Sequence, residues 1–363
     1  MNTHRRTIAA FAVGIAGILG AAGAASLAGA EQPERITRLD GAIWVANRGA
    51  HTIASFDAKT GTALSTVAMS PGSQPGDLAF ARGKLYVAEE FGSPPAIAIV
   101  DAATGVVSKR IELAAGSRPH HVHASRRGAL VAFGLYGTDF VAVVDTDTDT
   151  LLGPWDTNPA PGATSGRAHA AVFARNGNTL YVASDASNEV IALEPRTGEV
   201  LWRLNVPGAH ELAVARDGKT AYVSRRTANR LAVIDLREPS YTDVLELGLP
   251  DSLRLSANGK QLTVGLRTTP AHVAVVDTRS LEYELVRIGP LLDTTTIAGH
   301  QWTSRNGRFT FAAYEGGSSP GIAVIDHREG NEVVETLDYP GRPHGVDLAP
   351  AGEEDEEDED DDD

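Results

Sequence analysis

The chain has 363 residues, 42% hydrophobic and 22% charged, with 37 glycines and 19 prolines, a globular composition rich in turns. It has no cysteine, which excludes disulfides, thiolate metal sites, iron–sulfur clusters, cysteine nucleophiles and a lipoprotein anchor. The net charge of −15 is concentrated in the unbroken acidic run Glu353 to Asp363; setting those eleven charges aside leaves −4, too little positive charge for a general nucleic-acid binder.

The chain opens with Arg5 and Arg6, a weakly apolar stretch from Ile8 to Ala25, and the small-residue site Ala28-Gly29-Ala30 before Glu31. Residues 1–30 therefore read as a signal peptide. Alanine and glycine bring little transfer energy and the stretch is short for a span, so no membrane segment is expected after cleavage. The expected location is extracytoplasmic: periplasm, cell surface or medium. Arg5-Arg6-Thr7-Ile8 leans toward twin-arginine export, with Sec export the alternative.

From residue 42 the chain repeats. Apolar runs ending in an acid recur as IASFD (Asp57), IAIVD (Asp101), VAVVD (Asp145), VIALE (Glu194), LAVID (Asp235), VAVVD (Asp277) and IAVID (Asp326). The spacings are 44, 44, 49, 41, 42 and 49 residues. A second strand-like run precedes each: IWVAN, LYVAE, LVAFG, LYVAS, AYVSR, LTVGL and FTFAAY. Turns such as Asn176-Gly177, Asp217-Gly218 and Asn306-Gly307 introduce several of these, and Thr-Gly turns follow the acids. Each unit is thus four strands, A to D. One such sheet cannot cover both its faces, and seven packed around an axis can. The prediction is an all-β, seven-bladed β-propeller of four-stranded antiparallel blades over residues 31–352, expected as a monomer. His344 to Ala349 fits the strand-A pattern better than Ile36 to Asp40 and is expected to close the ring beside Ala42 to Asn47. The recurring aspartates are read as turn-openers that accept backbone N–H bonds. Residues 353–363 carry like charge with nothing apolar to bury and are expected to be a disordered, solubilising tail.

Counting back from the turn glycines aligns the A strands. His120, His169, His210 and His344 each lie eight residues before Gly128, Gly177, Gly218 and Gly352, and Asp251 lies eight before Gly259. His300 falls one short of that register, and the second unit has Gly76 there. The ends of the B strands offer Arg48, Glu90, Asp185, Arg226, Arg267 and Glu315, with Leu135 as the exception; His121 and His123 add to the cluster. These residues should converge on one mouth of the axial channel. Neutral imidazoles suit zinc or copper, so His120, His169, His210, His300 and His344 are candidate metal ligands, His169 with His210 being the adjacent pair. Arg48, Glu90, Arg226, Arg267 and Glu315 are candidate contacts for a small ligand. As an enzyme, the same face would use His169 or His210 as base, Glu211 or Asp185 to orient it, and Arg226 to hold a developing oxyanion. No G-x-S-x-G, H-E-x-x-H or phosphate loop is present. A third reading is a non-catalytic adaptor or redox-partner subunit using its broad faces and the loops Gly153 to Arg167 and Gly289 to Ala298 to hold a protein partner. Trp155 and Trp302 are read as packing residues rather than exposed anchors.

The pattern Pro-His-Gly-Val, Asp/Asn-Gly, Leu-Tyr-Val-Ala, Val-Ile-Asp, Thr-Gly over residues 42 to 352 resembles the YVTN-type bacterial propeller repeat. HAAVFARNGNTLYVASDASNEV, from His169 to Val190, is also similar to a segment of lactonase-type propellers. The resemblance implies the propeller fold and an exported protein. It leaves open a binding protein, a subunit of a periplasmic redox enzyme, or a lactonase-like hydrolase or lyase, in which His169 and Asp185 would carry the likeness.

Overall fold

Strands buried on both faces need apolar side chains on both, and the B and C runs supply them. Val131, Ala132 and Phe133, or Ile97, Ala98 and Ile99, are fully buried in succession. The computed structural model describes residues 36–158 and 167–351. Over these residues it is a ring of seven antiparallel sheets, each running from an inner strand A to a solvent-facing strand D. The only helical segments among the described residues are two single 3₁₀ turns, Arg226–Ala228 and His327–Glu329. The fourth strand of the third blade is split into Thr150–Leu151 and Trp155–Asp156.

The hydrophobic core is divided among the seven interfaces between blades. One apolar cluster lies in each, from Trp44, Leu78 and Leu85 between blades one and two to Ile43, Phe311 and Val346 between seven and one. The last interface depends on closure. Pro343–Ala349 pairs antiparallel with Ala42–Asn47 and becomes the inner strand of the first blade, as the sequence predicts. Ile36 to Asp40 forms no strand. Trp155 and Trp302 pack into interblade clusters, Trp155 Nε1 also donating to the Pro195 carbonyl at 3.0 Å. The turn aspartates do what the sequence assigns them: Asp57, Asp101, Asp235 and Asp277 each accept N–H bonds from the residues two and three ahead.

All seven inner strands share one irregularity. Each carries an extra residue relative to its strand-B partner near its start, at Gly76-Asp77, His120-His121, His169, His210, Asp251-Ser252, Gly299-His300 and His344-Gly345. A bulge bends the strand and re-aims a side chain. Here it turns two successive residues per blade toward the axis. The blades also approach closely at this level: a Cβ on Gly134 would collide with the His169 carbonyl, so only glycine fits. Residues 1–35, with the expected signal peptide, residues 159–166 of the long loop and the acidic run lie outside the described residues.

Candidate functional site

The bulges stack the inward residues in two layers. The outer layer holds His120, His169, His210, Asp251 and His344, with Gly76 and Gly299 completing the seven positions. One step deeper lie Asp77, His121, Glu211, Ser252 and His300. The off-register His300 of the sequence is thus a member of the second layer, its first-layer place being taken by Gly299.

The channel is closed rather than wide. His169 and His210 stack with ring centroids 3.6 Å apart, His300 and His344 lie 4.5 Å apart, and His120 is 4.8 Å from His169 and 5.9 Å from His344. Every one of these rings is buried. The space above Gly76 is filled by its neighbours: a Cβ there would stand 3.2 Å from Arg48 Nη2 and Glu90 Oε2 and 3.4 Å from His120 Nδ1.

Around this plug the strand-B residues form ion pairs. Glu90 accepts from Arg48 at 3.0 Å and from Arg118 at 2.7 Å, and lies 3.3 Å from His120 Nδ1. Burial would raise its carboxyl, but His120, Arg48 and Arg118 outweigh that and lower it to about 2. Glu315 binds Arg267 at 2.9 Å and Arg342 at 3.0 Å. Asp251 Oδ1 bridges Arg226 and His210 Nε2, both at 2.8 Å, and Asp185 takes His210 Nδ1 at 2.8 Å. Burial opposes charge on His210, yet Asp251 and Asp185 prevail and raise it to about 9. In the deeper layer His300 lies between Asp77 (3.3 Å) and Glu211 (3.2 Å). Those two carboxylates overcome burial and raise it to about 10. His169 and His344 have no such pair, and burial leaves them well below the usual imidazole range; burial likewise lowers His121 to about 4. Burial lowers His120 as well, so the plug holds two imidazolium rings, His210 and His300, beside neutral ones.

The convergent metal-competent group is His120, His300 and His344, one ring nitrogen of each lying within 4.8 Å of the others. His169 and His210 are not part of it. His169 Nδ1 faces the His210 carbonyl at 3.1 Å, and both His210 nitrogens, like those of His300, are taken by carboxylates. Both ring nitrogens of His344 are buried without a hydrogen-bond partner, with Glu315 3.7 Å from Nδ1. Glu211 sits under the plug, accepting the Leu253 N–H at 3.0 Å.

Besides Arg118, Arg342 and Ser252, two further residues enter the site that the sequence reading did not place there. Tyr136, eight residues after Gly128, holds the position assigned to Leu135; its ring is 5.4 Å from His120 and 5.2 Å from His169, while Leu135 is core. Counting forward from the turn glycine, as for the other blades, finds it. Asp77 binds His300 and the Val122 N–H (3.0 Å). Its only sequence signal is its equivalence to His121.

Solved structures with the same architecture are widely spread in activity. The dihydro-heme d1 dehydrogenase NirN in complex with DHE superposes with a TM-score of 0.60 at 17% identity, covering 87% of this chain and 77% of that one. A candidate 6-phosphogluconolactonase from Bacteroides uniformis gives 0.62 at 17% identity over 85% and 100%. The Kuenenia stuttgartiensis hydrazine synthase gives 0.54 at 17% identity over 70% and 77%. At these identities the likeness is one of fold. The lactonase-like resemblance, read from a single blade, extends as architecture to most of the chain. No curated protein matches the sequence. The family model described as outer membrane protein assembly factor BamB matches residues 49–211 and again 137–240, as expected when one repeat model is laid along a periodic chain. Since those matches together run from residue 49 to 240, more than half its length, the chain belongs to that β-propeller family.

Proposed function

We propose that this is an exported, YVTN-type propeller that binds a late first-row divalent metal ion, zinc or copper(II), through His120, His300 and His344 inside its channel. The observation that carries this reading is His344, a neutral imidazole with two buried nitrogens and no hydrogen-bond partner beside two other histidines. Leaving such groups unmatched costs about 1–3 kcal/mol each, and a metal would give one of them a partner. Glu90 stands behind His120 and Glu315 behind His344, whereas His300 carries a carboxylate on each nitrogen, Asp77 and Glu211, so one of the two must give way to the ion while the other stays behind the ring. Carboxylates in that place fix ring orientation and raise ligand basicity. Nitrogens bound at about 2.0–2.1 Å can be at most about 4.2 Å apart, so the rings must draw in slightly. His300 must give up a proton to ligate, so uptake of the ion releases protons and weakens in acid.

The alternative, a lactonase-like hydrolase or lyase on this face, needs a base. His210 is held charged by Asp185 and Asp251, and His169 is covered by the His210 ring. The arginines Arg48, Arg226 and Arg267 are already paired with acids, which weakens the case for an anionic substrate there.

Metal analysis of protein purified without a histidine tag, followed by chelation and titration with zinc or copper, tests the proposal. One equivalent per chain is expected, lost in His344→Ala and kept in His169→Ala. No stoichiometric ion in the wild type, with lactone opening instead, would transfer the assignment to the hydrolase. Absence of both would favour the adaptor reading.

A further inference from the structure

At the opposite end of the channel the plug gives way to a funnel of about 550 Å³. It is lined by Arg126, Arg175, Arg216, Arg254, Arg305, His121 and His123, with Asn258 and otherwise small or apolar residues, and no Asp or Glu occurs among its described lining residues. The arginines come from five consecutive blades. Four of them, Arg126, Arg175, Arg216 and Arg305, hold one repeated position: each lies two residues before the glycine of the turn joining strands A and B. The repeat therefore gathers positive charge around one rim, and a low-dielectric concave wall focuses that potential.

The last inner strand leads to the same rim. Pro343–Ala349 runs alongside the inner strands of blades seven and two, with Asp347 Oδ2 accepting the Phe80 N–H at 2.8 Å. Its first residues lie at the histidine plug and its last, Ala349, at the A–B turn level. In the other blades the chain turns there into strand B. Here Gly352, the counterpart of the turn glycines, is followed at once by Glu353 to Asp363. Eleven residues can extend about 36 Å at about 3.3 Å each, enough to cross the rim. The most acidic segment of the chain thus follows directly on a strand that ends at the level of this arginine-rich cavity.

We propose that this funnel is a polycarboxylate-binding site and that Glu353–Asp363 of the same chain is its occupant. Tethering gives the segment a high effective concentration, so it competes with any free polyanion for the arginines. The charges are complementary, and none of the funnel arginines is among the proposed metal ligands.

Inorganic tripolyphosphate is the probe, titrated calorimetrically into the full chain and into a chain whose eleven terminal acids are replaced by Asn or Gln. The neutralised chain should bind the probe at least about tenfold more tightly, because the tethered competitor is gone. Adding Arg175→Gln with Arg216→Gln should cancel the gain. Equal affinity in the first two proteins overturns the occupant. A gain that survives the arginine substitutions overturns the site. A second measurement uses the absence of native cysteine: Ala257→Cys on the funnel wall is combined with Asp358→Cys. An intramolecular disulfide should form under mild oxidation at low salt and be suppressed near 1 M salt, where the screening length falls to about 3 Å. Cross-linking only between molecules, or none, overturns the proposal.

Discussion

His300 is one residue out of the glycine-counted register, and that step changes its protonation state. In the first layer it would have met neutral imidazoles; in the second it lies between Asp77 and Glu211, which hold its proton despite burial. A group whose folded pKa is raised stabilises the fold fully below its unfolded value near 6.5 and loses that contribution as pH rises through about 10. Removing one buried partner leaves the other charge uncompensated, at a cost of about 3–5 kcal/mol. Glu211→Gln should therefore lower unfolding free energy by about 3 kcal/mol at pH 7, read from denaturant melts. A loss below about 0.5 kcal/mol, the level of an ordinary surface substitution, would show that the pair carries no weight. At this scale the sequence was legible where a turn glycine anchored the count, as for His120, His169, His210 and His344. It was not legible at Leu135, where the end of an apolar run was followed instead of the glycine, and Tyr136 was passed over. Asp77 was hidden because one carboxylate after a glycine carries no pattern of its own.

The inner strand is the element that turns a repeat into a site. Period, turn glycines and apolar runs gave the blade count, the strand order and the closing segment, because all three derive from burial and backbone geometry that every blade must satisfy. The bulges left no trace: one extra residue does not disturb a short apolar pattern, yet it decides whether a histidine points to the channel or to the next blade. This is why the sequence placed the histidines around an opening and the structure buries them inside it. The closing strand also carries the interface between blades seven and one, with Val346 buried against Ile43 and Val45. Val346→Asp would put an unpaired carboxylate between blades one and seven, a change that costs several kcal/mol. The expected result is loss of cooperative melting, checked by calorimetry. A cooperative transition shifted by only one or two degrees would mean that the ring closes without this strand.

For the molecule as a whole, the division of histidines between charged and neutral predicts two pH edges. His123, at the floor of the funnel, has Phe173 6.1 Å away and accepts its N–H at 3.3 Å. Burial first, then the charges of Arg254 and His121, lowers it to about 3, against which Asp77 pulls only weakly. His121, lowered to about 4, behaves alike. A base whose folded pKa is depressed takes its proton only in the unfolded chain between its folded value and about 6.5, so stability falls as pH drops through that window. The reverse holds for His210 and His300, whose contributions are complete below about 6.5 and vanish as pH rises through about 9 and 10. Asp347, raised to about 6 by burial, works in the opposite direction to the neutral histidines, since its folded form keeps a proton that the unfolded chain releases above about 4. Melting temperature, followed in chelator across pH 4 to 10, should therefore peak near pH 6.5 and fall on both sides, the alkaline loss accumulating between about 6.5 and 10. His123→Phe removes one titrating group from the acid edge without touching the alkaline one. In that variant the slope of unfolding free energy between about pH 6 and 4.5 should lessen by up to about 1 kcal/mol per pH unit, the half-buried position taking it below the full single-proton value. An unchanged acid slope would mean that His123 takes up its proton equally in the folded and unfolded protein, which would remove it from the acid edge.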